Sequence, residues 1–157
     1  IGAILGSILV WLTYLPHWKE TSDQKAKLAV FSTAPAIRDK PKNLIAEIIG
    51  TFVLVLGVLT ILRPENLVPG SGFDRGFGPL LVGLLVLSIG LSLGGPTGYA
   101  INPARDLGPR IAHAILPIHG KGDSDWSYAW VPIVGPVIGG AIAAFVFKWL
   151  WTITPTP

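Results

Sequence analysis

Between Arg75 and Arg105 the chain carries no charged side chain, and near the end of that run the residues Gly94-Gly95-Pro96-Thr97-Gly98 resist any regular element. Just beyond them Asn102 is a candidate helix N-cap, and Pro103 suits the first helical position, where its missing N–H costs nothing. A chain with this order must unwind at the end of an apolar segment and start a new helix from there.

The solvent around that break follows from where charge is missing elsewhere. Half of the 157 residues are hydrophobic and 13% are charged, with a mean hydropathy of +0.58. Residues 76–104 and 126–147 contain no charge, and residues 44–62 contain only Glu47. Each stretch can supply the roughly 20 apolar residues that cross about 30 Å of hydrocarbon, so the expected class is an all-α membrane helix bundle. The net charge of +3 does not point to nucleic acid, because the 12 Lys and Arg residues lie mostly in connections and form no basic helix face. There is no cysteine, hence no disulfide framework. No nucleophile with a nearby base, metal-ligand cluster or phosphate-cradling loop is evident, so neither an enzyme nor a cofactor is expected.

Residues 1–16 are apolar, short for a full span, and lack a basic leader or small-residue cleavage site; they read as a membrane helix whose beginning precedes Ile1. Gly2 and Gly6 are spaced to admit a neighbouring helix or simply to pack. Residues 17–42 form a polar connection, long for a compact domain and therefore functional or covering, with His17 as an interfacial surface residue. The span at 43–62 holds Glu47, either a buried anchor or a carboxylate reaching back toward the helix N-terminus. After a Pro- and Gly-rich connection at 63–76, the span at 77–93 carries Gly83 and Gly90 on one face.

Residues 94–125 re-enter, with a half-helix at 102–114 of about 18 Å, half a bilayer, bent at Pro109. His113 near its end is a surface or packing residue, and His119 falls in a solvent-exposed turn. The last span, 126–151, has Trp126, Trp130, Trp149 and Trp151 toward its ends and a second close-packing pair, Gly135 and Gly139.

Irregular backbone at membrane depth is tolerated only where it is buried in protein or lines a water-filled cavity. The break therefore predicts a pore in which the carbonyls of Gly98, Tyr99 and Ala100 accept hydrogen bonds from a permeant and the Asn102 amide donates one. The positive end of the half-helix, with Arg105 one turn along, repels cations and interrupts proton conduction while small neutral solutes pass. The alternative is an ordinary helix start, since Asn and Pro are common at those positions.

The run Gly98-Tyr99-Ala100-Ile101-Asn102-Pro103-Ala104-Arg105-Asp106, with Gly108-Pro109-Arg110, resembles the aquaporin and glycerol-facilitator family, specifically the aquaglyceroporins. The resemblance covers residues 1–151 and matches the C-terminal portion of such a protein. It implies a six-span bundle of two inverted repeats, with two half-helices meeting at their Asn-Pro-Ala ends, in a plasma-membrane homotetramer with one pore per subunit. On that map residues 1–16 are span three, 17–42 an outer loop, 43–62 span four, 63–76 a cytoplasmic loop, 77–93 span five, 94–125 the re-entrant loop and 126–151 span six. The first two spans and the first Asn-Pro-Ala loop have no counterpart in these residues. The basic-residue count alone would put residues 19–42 in the cytoplasm; the family topology puts them outside, and it is preferred because acids are interspersed with those bases.

Residue by residue, the resemblance makes Arg105 the selectivity-filter arginine, Tyr99 the residue facing it, and Gly90 the filter position on span five, where glycine widens the constriction. Asn102, Pro103, Ala104, Gly98 and Ala100 would line the pore. Glu47 would brace the re-entrant loop, Asp106 and Arg110 would support the half-helix, and Pro132 and Ile133 resemble the glycerol-conducting subgroup. Tyr99 replaces the phenylalanine of better-known facilitators. The implied function is passive conduction of glycerol, other small neutral solutes and water across the lipid bilayer, with ions and protons excluded. A non-conducting scaffold and a mainly water-selective channel are the alternatives.

Overall fold

In the computed structural model, which describes residues 1–63 and 70–153, every regular element among those residues is a helix. In chain order they are α1 (Gly2–Thr13), α2 (His17–Glu20), α3 (Gln24–Ala29), α4 (Lys40–Ile61), α5 (Phe73–Leu93), α6 (Pro103–Ile115) and α7 (Val131–Ile153). Lys40–Ile61, Arg75–Leu93 and Val131–Trp151 are long and apolar enough to cross a membrane, whereas the twelve residues of α1 are fewer than a span needs. The result is a polytopic membrane bundle with a re-entrant half-helix.

Several local signals account for the boundaries. Asp39 caps α4 by accepting from the Lys42 N–H at 3.3 Å, with Pro41 in the first turn. The 17–42 connection is more structured than its polarity suggests: α2 and α3 lie within it, and Asp23 caps α3 by accepting from the Lys25 N–H at 2.8 Å. Residues 64–69 of the expected 63–76 connection lie outside the described residues, and α5 already begins at Phe73. Residues 126–130 are turns, closed by the Val131 N–H donating to the Tyr128 carbonyl at 2.9 Å, and α7 starts after them.

The side chains α4 buries are Asn43, Glu47, Gly50 and Thr51, while Ile45 and Ile49 are exposed. Small and polar residues face inward and branched apolar ones outward, the distribution a helix adopts when its outer solvent is hydrocarbon. The most extensive helix contact in the bundle is α4 on α7. It is close because α7 presents glycine: a Cβ on Gly135 would stand 2.6 Å from the Glu47 Cβ, and one on Gly139 would collide with the Ile48 carbonyl. Gly139→Ala should therefore destabilise the protein by about 1–3 kcal/mol, read as a lowered unfolding temperature in detergent. Gly140→Ala, whose Cβ would meet only Val55 at 3.7 Å, should leave that temperature unchanged; equal shifts would refute the close approach.

At one end of the bundle the 17–42 connection folds onto α6 through an apolar cluster of Trp18, Phe31, Ala112, Leu116 and Ile118, with Ile4, Ile8 and Trp11 packed against it. The Phe31 ring lies between Trp18, stacked at 5.8 Å, and His113, edge-on at 5.5 Å. His113 is fully buried, so of the two roles its sequence position allowed, it packs.

Candidate functional site

The backbone from Gly94 to Ile101 is turned by three positive φ angles, +74° at Gly98 and +41° at both Tyr99 and Ile101. Glycine adopts such angles freely, but a β-branched residue there is a strong outlier, and each non-glycine case costs about 1–3 kcal/mol. What offsets that cost is α4. The buried Glu47 accepts from the Thr97 hydroxyl at 2.6 Å and the Ala100 N–H at 3.0 Å with Oε1, and from the Ile101 N–H at 2.7 Å with Oε2. One turn along, Gly50 leaves room for the Ile101 side chain, whose Cγ2 would be 2.9 Å from a Cβ there. A single turn of α4 thus supplies both the charge and the space that hold the loop. Because the carboxylate takes the N–H donors, the carbonyls of Gly98, Tyr99 and Ala100 are left unclaimed by any donor among the described residues.

Asn102 then starts α6 in an extended conformation, and its Oδ1 accepts from the N–H groups of Ala104 at 2.9 Å and Arg105 at 3.3 Å. This fixes which way the side chain faces and leaves its NH2 group without an acceptor among the described residues. Pro103 and Ala104 complete the first turn, and the helix continues through Pro109 to Ile115. Arg105 is exposed, held at one point where Nη1 donates to the Phe31 carbonyl at 3.3 Å. Its remaining donors and the positive helix end share one accessible region.

Behind that region lies an ion pair with no solvent access. Asp106 accepts from Arg110 Nε at 2.7 Å and Nη2 at 3.0 Å, and from the Thr33 N–H at 2.9 Å and hydroxyl at 2.8 Å. Arg110 also donates to the carbonyls of Thr33 at 3.1 Å, Ser124 at 2.7 Å and Asp125 at 3.1 Å. The pair therefore clamps three parts of the chain: α6, Thr33 and residues 124–125. Asp125 in turn pairs with Arg38, whose guanidinium its hydrogen bond holds above the ordinary value against the opposing pull of burial.

The far end of α6 lacks a glycine cap; instead the Lys121 ammonium donates to the carbonyls of His113, Ala114 and Leu116 at 2.6–2.7 Å. Burial pushes that ammonium below its ordinary value. Lys27, buried in α3, adds a link to the His119 carbonyl at 2.5 Å.

The Tyr99 ring projects onto α5, where a Cβ on Gly90 would be 3.2 Å from its Cζ and 3.3 Å from its hydroxyl oxygen. The room that Gly90 leaves is thus occupied by the Tyr99 ring.

The sequence pattern of the Major intrinsic protein family matches residues 1–147. The chain belongs to that family. It is 64% identical over 151 residues to a probable glycerol uptake facilitator protein of Thermotoga maritima, covering 96% of this chain and 62% of the relative. It is 58% identical over 148 residues to a glycerol uptake facilitator protein of Bacillus subtilis, covering 94% and 52%. Among solved structures, the aquaglyceroporin from Plasmodium falciparum superposes with a TM-score of 0.77 at 27% identity, over 97% of this chain and 61% of that one. The chain spans between half and two thirds of the length of these relatives. With membership in this family and three spans of its own, it is a multi-pass membrane protein.

Within this family fold the sequence-derived residues separate into groups. Glu47 and Ala100 meet at one turn of α4, Gly98 lies against Thr33 and Ala34, and Tyr99 meets Gly90 on α5. Asn102, Pro103, Ala104 and Arg105 form the first turn of α6, and Asp106 with Arg110 lie behind it. No hydrogen bond or ring–cation contact joins Arg105 to Tyr99 among the described residues. Sequence reasoning missed Thr33, Ser124, Lys27 and Lys121, each polar and each in a connection. Their partners lie 73–92 residues away for Thr33 and Lys27, and no local pattern marks them.

Proposed function

We propose that the protein is the larger part of a passive channel that conducts glycerol, other small uncharged solutes and water, and rejects ions and protons. The observation that carries this is the division of polarity in the 98–105 segment: the Ala100 and Ile101 N–H groups are spent on the buried Glu47 and those of Ala104 and Arg105 on the Asn102 side chain, while the carbonyls of three successive residues, the Asn102 NH2 group and most of Arg105 remain available. A polyol losing its hydration shell needs both acceptors and donors, and this segment offers both beside an apolar wall. The positive end of α6 and Arg105 oppose cations at the same place.

The chain's similarity to glycerol uptake facilitator proteins favours glycerol as the solute, and the Tyr99 ring beside Gly90 would meet its carbon-bearing edge. In this reading Arg105, Tyr99 and Gly90 act as the filter, Asn102, Pro103, Ala104, Gly98 and Ala100 line the pore, and Glu47, Asp106 and Arg110 support it. The chain acts by conduction and carries out no reaction. Residues 17–42 face outward and residues 63–76 the cytoplasm. A homotetramer would cover part of the exposed apolar surface, which includes Leu84, Leu91 and Phe145.

Reconstitution of the gene's full product into liposomes, with glycerol and water fluxes followed by stopped-flow light scattering, tests this. Glycerol should equilibrate well above the rate in empty liposomes with no added ion leak. A glycerol rate equal to that of empty liposomes would overturn the proposal.

A further inference from the structure

Resting on that reading of the filter, we infer that Gly94 is a specificity-determining residue: capping α5, with Gly90 one turn before it, it forms a two-glycine slot at the C-terminal end of that helix in which the Tyr99 ring lies lengthwise. A Cβ on Gly94 would stand 2.8 Å from Tyr99 Cδ1, at the root of the ring, while one on Gly90 would stand 3.2–3.3 Å from Cζ and the hydroxyl, at its tip. The two contacts lie at opposite ends of one side chain, so the ring runs along the helix surface. The slot is confined to these positions, since Gly95 and Gly83 have no described atom within 4 Å of a built Cβ.

The two glycines differ in leverage. At the tip, a few tenths of an ångström of ring movement would accommodate a methyl group. At the root, opening a 2.8 Å approach to ordinary contact means rotating the whole ring about its Cα–Cβ bond, which the positive φ at Tyr99 and the Glu47 bond to Ala100 hold in direction. That rotation is amplified at the hydroxyl and carries the ring off α5. Tyr99 is 40% exposed, so the ring is not enclosed against such a movement. The width available to a carbon-bearing solute is thus set at Gly94 as well as at Gly90. A water molecule, being smaller, is less affected.

Gly94→Ala has a second and closer conflict, with the backbone carbonyl oxygen of Gly90, which any change at Tyr99 leaves in place and which bears on both solutes alike. Pairing the substitution with Tyr99→Leu separates the two. In liposomes containing the full gene product, Gly94→Ala should lower the glycerol-to-water permeability ratio about tenfold, and Gly95→Ala should change it less than about twofold. The double variant Gly94→Ala/Tyr99→Leu should return to the ratio of Tyr99→Leu alone. A single variant that fails to reach the membrane while the double variant reaches it and conducts would also support the ring conflict. Equal losses of glycerol and water permeability in Gly94→Ala, an unchanged ratio, or a lowered ratio that Tyr99→Leu does not restore to its own value would overturn the inference. If the unsubstituted protein passes no glycerol, the functional reading falls and this inference with it; if it passes glycerol and Gly94→Ala leaves the ratio intact, the inference alone falls.

Discussion

Glu47→Gln is expected to cost about 2–4 kcal/mol of stability and to reduce solute flux in proportion to the loop it releases. The substitution keeps the volume and one carbonyl oxygen. It turns the other oxygen into an NH2 group that must face either the Ile101 N–H or the Thr97 hydroxyl and Ala100 N–H, all of them donors in the native arrangement. The remaining bonds also lose the charge that strengthens them. With its main anchor weakened, the positive φ angles at Tyr99 and Ile101 are no longer fully offset, so the loop should relax toward ordinary backbone angles. Thermal unfolding in detergent, together with glycerol flux normalised to the amount of protein in the membrane, checks this. Wild-type stability and flux in Glu47→Gln would mean that the carboxylate does not hold the loop.

Arg110→Met should be more damaging still, by about 3–5 kcal/mol, because it leaves Asp106 charged in a site with no solvent access. Asp106→Leu should cost a comparable amount for the converse reason. Asp106→Leu/Arg110→Met removes both charges, and its loss should be smaller than the sum of the single losses by about 1–3 kcal/mol. It should not reach wild type, since Thr33, Ser124 and Asp125 would keep polar groups whose partners are gone. Urea or thermal denaturation of the three variants measures the coupling, and additive losses would show that the two side chains do not act as a unit.

The legible parts of this fold are those whose cause is local. Asn102 and Pro103 mark the start of α6 because capping and a preset φ are properties of one or two residues. Three membrane helices are visible as apolar runs with at most one charge, Glu47, for a similar reason. Asp106 and Arg110 were spaced as a helical pair, and they form one. What was not legible depends on partners brought together only by folding. Thr33 reads as one of many threonines until Asp106 is opposite it. The positive φ at Tyr99 and Ile101 runs against their own preferences and exists because Glu47 imposes it. Polarity also hid α2 and α3, since short helices in a charged connection carry a weak apolar pattern.

The separation between Glu47 and its partners has a consequence for how the protein is made. Thr97, Ala100 and Ile101 follow Glu47 by 50, 53 and 54 residues. At a synthesis rate of about 5–20 residues per second, the ribosome delivers them roughly 3–10 s after the carboxylate has emerged. During that interval α4 has an acid and none of its three donors, and α7, which covers the same turn of α4 through Gly135, has not yet been translated. Helix insertion therefore precedes closure of the re-entrant loop, and α7, translated after that loop, seals a site whose carboxylate was laid down on α4.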